Sequence, residues 1–306
     1  MSRIKIWLHA ARLRTLPLSL SGIIFGSFVA FNDNIFNKTI FILALLTTLF
    51  FQVLSNFAND LGDTLKGADN ANRVGPTRAV QSGGISISSM KIAVGLTSVL
   101  AFISSVSLIY VSANGKDFSF WLFYIVLAFF CIFAAITYTM GKKAYGYLGL
   151  GDIFVFIFFG FVSVIGVYHL FPAQLSLETF EWKLLLPAFT IGALSTAVLN
   201  LNNMRDCEND EKVGKRTLVV KIGRKNAKIY HTFLILSAIA SLLAYILLFQ
   251  KLTLFFSSLG IPILILLVHI RKVWHVQEDK AFDPFLKTVA LATFLISILF
   301  ALSSIL

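Results

Sequence analysis

Residues 38–69 read KTIFILALLTTLFFQVLSNFANDLGDTLKGAD, an apolar run that passes without interruption into Asn56-Phe-Ala-Asn59-Asp60-Leu-Gly-Asp63. The apolar part is long enough for one helical crossing of a bilayer, which needs about 20 such residues. The polar side chains at 56, 59, 60 and 63 recur at i, i+3, i+4 and i+7, so one stripe of the helix carries them all. Carboxylates are badly placed at such an end, because a helix C-terminus bears partial negative charge. Ionisable groups at membrane depth mark function.

The rest of the 306-residue chain fits a membrane setting. At 57% hydrophobic and 13% charged residues, with a mean hydropathy of +0.83, it lies outside the composition of a water-soluble domain. The expected fold class is all-α: a polytopic membrane helical bundle, with one domain over residues 1–306. Nine runs can span, approximately 15–31, 38–58, 90–113, 120–140, 151–171, 184–203, 229–249, 254–272 and 284–306. With a cytoplasmic N-terminus, 22 of the 26 Lys and Arg residues fall inside, leaving Lys38, Lys116, Lys183 and Lys251 outside. Eleven acids accompany them inside and four lie outside, so the whole net charge of +11 sits on one face. The positive-inside rule selects that orientation, for a multi-pass protein of the cell (inner) membrane.

Several other classes fall away. A chain this apolar presents no soluble basic face for nucleic acid. Cys131 and Cys207 make no disulfide framework and have no metal spacing, and the five histidines are scattered. No small-residue cleavage pattern follows the basic start. Residues 1–14, with Trp7 and Leu8 among spaced basic residues, read either as an interfacial helix or as a topology signal.

The second tip is Asn202-Asn203-Met-Arg205-Asp206-Cys-Glu-Asn-Asp210, where Asn203, Asp206 and Asp210 follow i, i+3 and i+7. Two acid-tipped spans separated by four helices suit a weak internal duplication. They open the two long inner loops, 59–89 and 204–228, in a bundle whose connections need only a few residues. Such hard oxygen ligands suit Mg²⁺, which takes one or two carboxylates and completes its shell with water and phosphate oxygens. Two clusters could hold two ions around one diphosphate; solvated acids paired to basic neighbours would be the plainer alternative. Basic groups follow both tips: Lys66, Arg73 and Arg78, then Lys212, Lys215 and Arg216. Arg78 closes Gly75-Pro76-Thr77-Arg78, a setting for a guanidinium fork on phosphate. The third inner loop, Tyr138 to Asp152, mixes tyrosines, lysines and glycines; its Tyr faces suit a cation and Lys142 or Lys143 an anion, or it forms an interfacial belt with Asp152 as a cap.

These residues resemble a family. Asn59-Asp60-x-x-Asp63 with Asp206-x-x-x-Asp210 in a nine-span chain is similar to the UbiA superfamily of intramembrane aromatic prenyltransferases. The longer strings SNFANDLGDTLKGAD (55–69), GPTRAVQSG (75–83), YGYLGLGDIFVFIFFG (145–160) and NNMRDCENDEKVGKRTLVVKIG (202–223) resemble its branch acting on 1,4-dihydroxy-2-naphthoate in menaquinone synthesis. The broader pattern Asp-x-x-Asp-x-x-x-Asp would put a third acid at Gly67; here Asp69 is nearest, which fits that branch and weakens a 4-hydroxybenzoate enzyme.

The resemblance implies a Mg²⁺-dependent transfer from a polyprenyl diphosphate to 1,4-dihydroxy-2-naphthoate, with a site facing the cytoplasm and a tail reaching membrane lipid. It implies Asp60, Asp63, Asp206 and Asp210 as metal-binding catalytic acids. Asn56, Asn59, Asp69, Arg78, Tyr138, Lys142, Asn203, Arg205 and Lys215 would contact substrate. A carrier would gather its polar groups at mid-membrane rather than at the inner ends. A CDP-alcohol phosphotransferase would carry an Asp-Gly-x-x-Ala-Arg string, which the sequence lacks.

Overall fold

The structure, a computed structural model, describes residues 2–70, 73–113, 115–171, 180–249 and 258–306. Among these residues every regular element is helical. In chain order they are α1 (Arg3–Ala11), α2 (Leu16–Asn32), α3 (Lys38–Leu65), α4 (Ile87–Ser112), α5 (Phe118–Thr137), α6 (Gly151–Leu170), α7 (Leu185–Lys212), α8 (Leu218–Phe249), α9 (Gly260–Trp274) and α10 (Asp283–Ile305). A segment that satisfies its own backbone is the form an apolar chain takes in lipid.

Local chemistry sets the starts. Asn37 caps α3 by accepting from the Thr39 and Ile40 amides at 2.9 and 3.2 Å, Ser86 caps α4 and Asp117 caps α5. Pro17 and Pro284 sit in the first turns of α2 and α10, where a missing N–H costs no helical bond.

Eight helices are long and apolar enough to cross a membrane, counting Arg3–Asn32 as one stretch. The run expected at 254–272 is represented by the 15-residue α9; its first part lies outside the described residues, as do Lys251 and residues 172–179. Two boundaries differ from the sequence reading in a way that matters for the site. Helix α3 continues to Leu65 and α7 to Lys212, past the loop starts expected at 59 and 204, so both acidic tips are helical as their spacing implied. The apolar run ends before the helix does, because cations and backbone amides from elsewhere in the fold compensate the acids.

Helix α7 is the most enclosed span and packs on α8, α6 and α10. It belongs to the larger apolar cluster, while the inner half of α3 joins α1 and α4 in a second one around Leu54, Phe57 and Met90. The acidic tips of α3 and α7 close the gap between the two. On the face expected outside, Lys183 pairs with Asp33 at 2.7 Å.

Helix α6 is π-wound over Phe156–Gly166, a departure that commonly accompanies function or close packing. Its backbone there runs against α7: a Cβ added at Gly160 would lie 2.4 Å from the Ala188 carbonyl oxygen, and one at Gly192 would lie 2.7 Å from that of Phe156. Small residues permit such approach between membrane helices. Gly192→Leu is therefore expected to overpack the contact and lower stability by about 1–3 kcal/mol. A thermal melt of the purified protein checks this, and an unchanged midpoint would show that the helices do not approach so closely.

Candidate active site

The first tip presents Asp60 and Asp63 on the buried side of α3, and both are almost fully buried. Asp60 is held by backbone: its two oxygens accept from the amides of Ala79 and Val80 at 3.1 and 3.3 Å. The loop that begins Gly75-Pro76-Thr77-Arg78 is thereby folded back over the helix end. Asp63 accepts from Arg78 Nη2 at 2.9 Å and from the Tyr147 hydroxyl at 2.8 Å. Asp69, in the same loop, pairs with Arg73 and, at 3.5 Å, with Arg78 Nε.

The second tip answers it from α7. Arg205 forks its own neighbour, with Nε and Nη2 at 2.9 and 2.8 Å from the two Asp206 oxygens, and reaches Asp283 of α10 at 2.5 Å. Asp210 lies 3.5 Å from Lys215 Nζ. The tips meet directly: the Asn209 amide donates to the Ala68 carbonyl at 2.9 Å. They also meet through Tyr147, whose ring has Lys66 from one tip 4.1 Å above its centroid and Lys215 from the other at 5.4 Å. Gly75 lets the loop pass close to the Arg205 guanidinium, where a Cβ would lie 2.7 Å from Nη2.

Charge and burial oppose each other across this cluster. Burial draws the Lys215 ammonium down, but Asp63, Asp210 and Asp206 outweigh it and hold its pKa above the ordinary value. Arg78 is raised in the same manner against its burial by Asp63, Asp69 and Asp60. Burial pushes the Asp69 carboxyl up despite Arg78 and Arg73, and raises the Tyr147 phenol together with the charge of Asp63.

The sequence-derived residues divide. Asp60, Asp63, Asp69, Arg78, Asp206, Asp210, Lys215 and Arg205 come together. Asn203 is buried one turn before Asp206. Asn56 turns toward the α1–α2 junction, donating to the Ala11 carbonyl at 2.9 Å, and the Asn59 amide oxygen accepts from Thr139 at 3.4 Å. Tyr138 packs beside Gly146 and Gly151 with its ring 5.2 Å from that of Tyr145. Lys142 is exposed and makes no ion pair with these acids among the described residues. Tyr147 was legible only as one loop tyrosine among several, and Asp283 carried no mark in the sequence.

Among the described residues no three His, Cys, Asp or Glu side chains are close enough to share one ion. The unpaired buried atoms nonetheless fit a Mg²⁺-diphosphate group. Asp69 Oδ2 and Asp210 Oδ2 lack a donor, while Arg73 Nε and Arg78 Nε and Nη1 make no hydrogen bond. Carboxylate oxygens seek a cation and guanidinium N–H groups seek an anion, and Mg²⁺ needs only one or two carboxylates when phosphate and water supply the rest.

The helices define a polytopic membrane protein, with the compensated acid pair as its candidate site. The chain belongs to the UbiA prenyltransferase family, whose pattern matches residues 19–302. It is 39% identical to 1,4-dihydroxy-2-naphthoate octaprenyltransferase of Haemophilus influenzae over 98% of this chain and 96% of that one. It is 38% identical to the protein of that name from Escherichia coli, over 99% and 96%. Its fold resembles the apo UbiA homologue of Aeropyrum pernix, with a TM-score of 0.67, 16% identity and 97% of both chains covered. The Archaeoglobus fulgidus homologue bound to GPP and Mg²⁺ aligns with a TM-score of 0.62 at 15% identity, over 96% of this chain and 98% of that one.

Asp206→Asn tests the Arg205 clamp. It leaves a buried guanidinium short of its principal partner, and unfolding free energy should fall by about 3 kcal/mol, as for a buried ion pair broken on one side. Chemical denaturation in detergent reads this; wild-type stability would mean that Asp206 does not hold Arg205.

Proposed function

We propose that this protein transfers a polyprenyl group from a polyprenyl diphosphate to 1,4-dihydroxy-2-naphthoate, with loss of the carboxyl group as CO₂. The product is demethylmenaquinol, which oxidises to demethylmenaquinone in menaquinone biosynthesis. The observation that carries the reading is the meeting of two acid-tipped spans, with orphaned carboxylate oxygens and orphaned guanidinium N–H groups in one buried cluster. The near-full-length similarity to proteins named for this reaction supports the choice of acceptor.

Asp60, Asp63, Asp206 and Asp210 would hold Mg²⁺, and a carboxylate already accepting one hydrogen bond per oxygen retains lone pairs for it. When bound, the metal neutralises the charge that grows on the departing diphosphate. Arg73 Nε and Arg78 Nη1, which make no hydrogen bond, would turn to diphosphate oxygens, and Lys215 would add charge. As the C–O bond breaks, its electron pair leaves with the diphosphate and an allylic cation forms. The ring carbon bonds to that cation, and the electrons of the C–COO⁻ bond return to the ring as CO₂ departs. Burial keeps out the water that would otherwise capture the cation, and the Tyr138 face stabilises it.

The surrounding assignment follows: one membrane domain over residues 1–306, nine spans with a cytoplasmic N-terminus, in the inner membrane. The charge asymmetry of the loops supports this orientation. The acceptor and Mg²⁺ enter from the cytoplasmic face, and the prenyl tail lies between helices toward lipid.

Offering 1,4-dihydroxy-2-naphthoate and 4-hydroxybenzoate with one prenyl diphosphate and Mg²⁺, then weighing the product, tests the proposal. The decarboxylated prenyl naphthalenediol is expected, and prenyl hydroxybenzoate alone would contradict it. Asp60→Ala and Asp210→Ala should each lower diphosphate release by roughly 100-fold or more. Near-normal turnover in folded variants would remove these acids from the mechanism.

A further inference from the structure

Arg12 is a cation without an acid. Arg73, Arg78, Arg205 and Lys215 each pair with a carboxylate of the cluster, whereas Arg12 forms no ion pair among the described residues. Its Nη2 is nonetheless buried and has no hydrogen-bond partner. The charges of Arg78, Arg73, Asp60 and Asp63 all bear on it, so it belongs to the same field. A guanidinium N–H buried beside other charges with no hydrogen-bond partner is costly unless an anion arrives.

The backbone at Arg12 is also unusual. It has φ 49 and ψ 53, a left-handed conformation that Asn tolerates and Arg seldom adopts. Arg12 ends α1, and a residue held there in this conformation is fixed by its surroundings. Here the surroundings are a polar network. The Arg12 carbonyl accepts from the Thr15 hydroxyl at 2.9 Å; Thr15 in turn accepts from Gln52 at 3.0 Å and Asn56 at 3.4 Å; Asn56 also donates to the Ala11 carbonyl. Ser19 completes it by donating to Gln52.

Depth selects between the anions of the reaction. Asn56 lies one turn before Asp60, about 6 Å along the helix axis, and its bond to the Ala11 carbonyl sets the Arg12 backbone near that level. Arg73 and Arg78, by contrast, lie in the loop beyond the cytoplasmic end of α3. In the prenyl-transfer reading the tail runs toward lipid from the diphosphate, so the reacting carbon and the ring that attacks it would lie on the side of the phosphates where the Arg12 backbone enters the bundle.

We infer that Arg12, supported by Thr15, Gln52 and Asn56, forms the subsite for the carboxylate of the aromatic acceptor. The inference rests on the prenyl-transfer reading above. The guanidinium fork grips the carboxylate in the bound acceptor and is released when CO₂ leaves, so its contribution falls on acceptor binding rather than on the chemical step.

The test uses the purified full-length protein. Fluorescence titration measures binding of 1,4-dihydroxy-2-naphthoate and of 1,4-dihydroxynaphthalene, the same ring without the carboxylate, to wild type and to Arg12→Gln. Expected is a roughly 10- to 100-fold weaker binding of the carboxylated ring by the variant, with the plain ring bound equally by both. In turnover, the acceptor KM should rise by the same factor while kcat and the prenyl diphosphate KM hold. Arg12→Lys, which keeps the charge but not the fork, serves if the glutamine variant does not fold, and should lose roughly tenfold. Unchanged naphthoate binding, or a rise in the prenyl diphosphate KM instead, overturns the subsite. If wild type yields no product from naphthoate yet binds it in an Arg12-dependent way, the proposed reaction fails and the subsite stands.

Discussion

A carboxylate at the C-terminal end of a membrane helix is opposed twice, by the negative end of the helix dipole and by loss of water. This chain places Asp60, Asp63, Asp206 and Asp210 at two such ends, and much of its inner face is arranged to compensate them. The loop after α3 folds back so that the Ala79 and Val80 amides reach Asp60. Arg78 and Tyr147 share Asp63, and Arg205 spans from Asp206 to α10. The meeting of the two helix tips thus follows from electrostatics, with the apolar bundle setting where the tips lie.

In the reading proposed above, the same compensation prepares a ligand site. Each pairing occupies some lone pairs and N–H groups and leaves others facing no partner. The leftovers are complementary to a metal and a diphosphate rather than to each other: Asp69 Oδ2 and Asp210 Oδ2 on one side, Arg73 and Arg78 N–H groups on the other. A network that fully satisfied itself would be stable and inert. Preorganised dipoles and charges that need no rearrangement during reaction are what electrostatic catalysis requires.

Much of this was legible in the sequence, for identifiable reasons. Runs of about 20 apolar residues located eight spans, and the i, i+3, i+4, i+7 spacing put Asn56 to Asp63 on one face. Pairings between distant segments were not legible. Tyr147 is one of three tyrosines in ten residues, and only the fold selects it for Asp63. Asp283 carried no signal in the sequence and proves to be the second partner of Arg205. Arg12 read as one positive charge among several because its left-handed backbone and its unpaired Nη2 exist only in three dimensions. Lys142 shows the opposite case: the family resemblance implied a substrate contact, yet the turn at Gly141 leaves it exposed. The π-winding of α6 coincides with close backbone approach at Gly160 and Gly192, which periodicity does not encode.

The central claim is that one divalent-cation and diphosphate group is gripped by both tips at once. The most direct measurement replaces Mg²⁺ by Mn²⁺ and follows bound ion by electron paramagnetic resonance, with and without a non-reactive prenyl diphosphate analogue. The account predicts that the analogue drives Mn²⁺ uptake, and that Asp63→Asn on α3 or Asp210→Asn on α7 each weakens it strongly. Uptake that persists undiminished when either tip has lost its acid would contradict a site shared between the two helices.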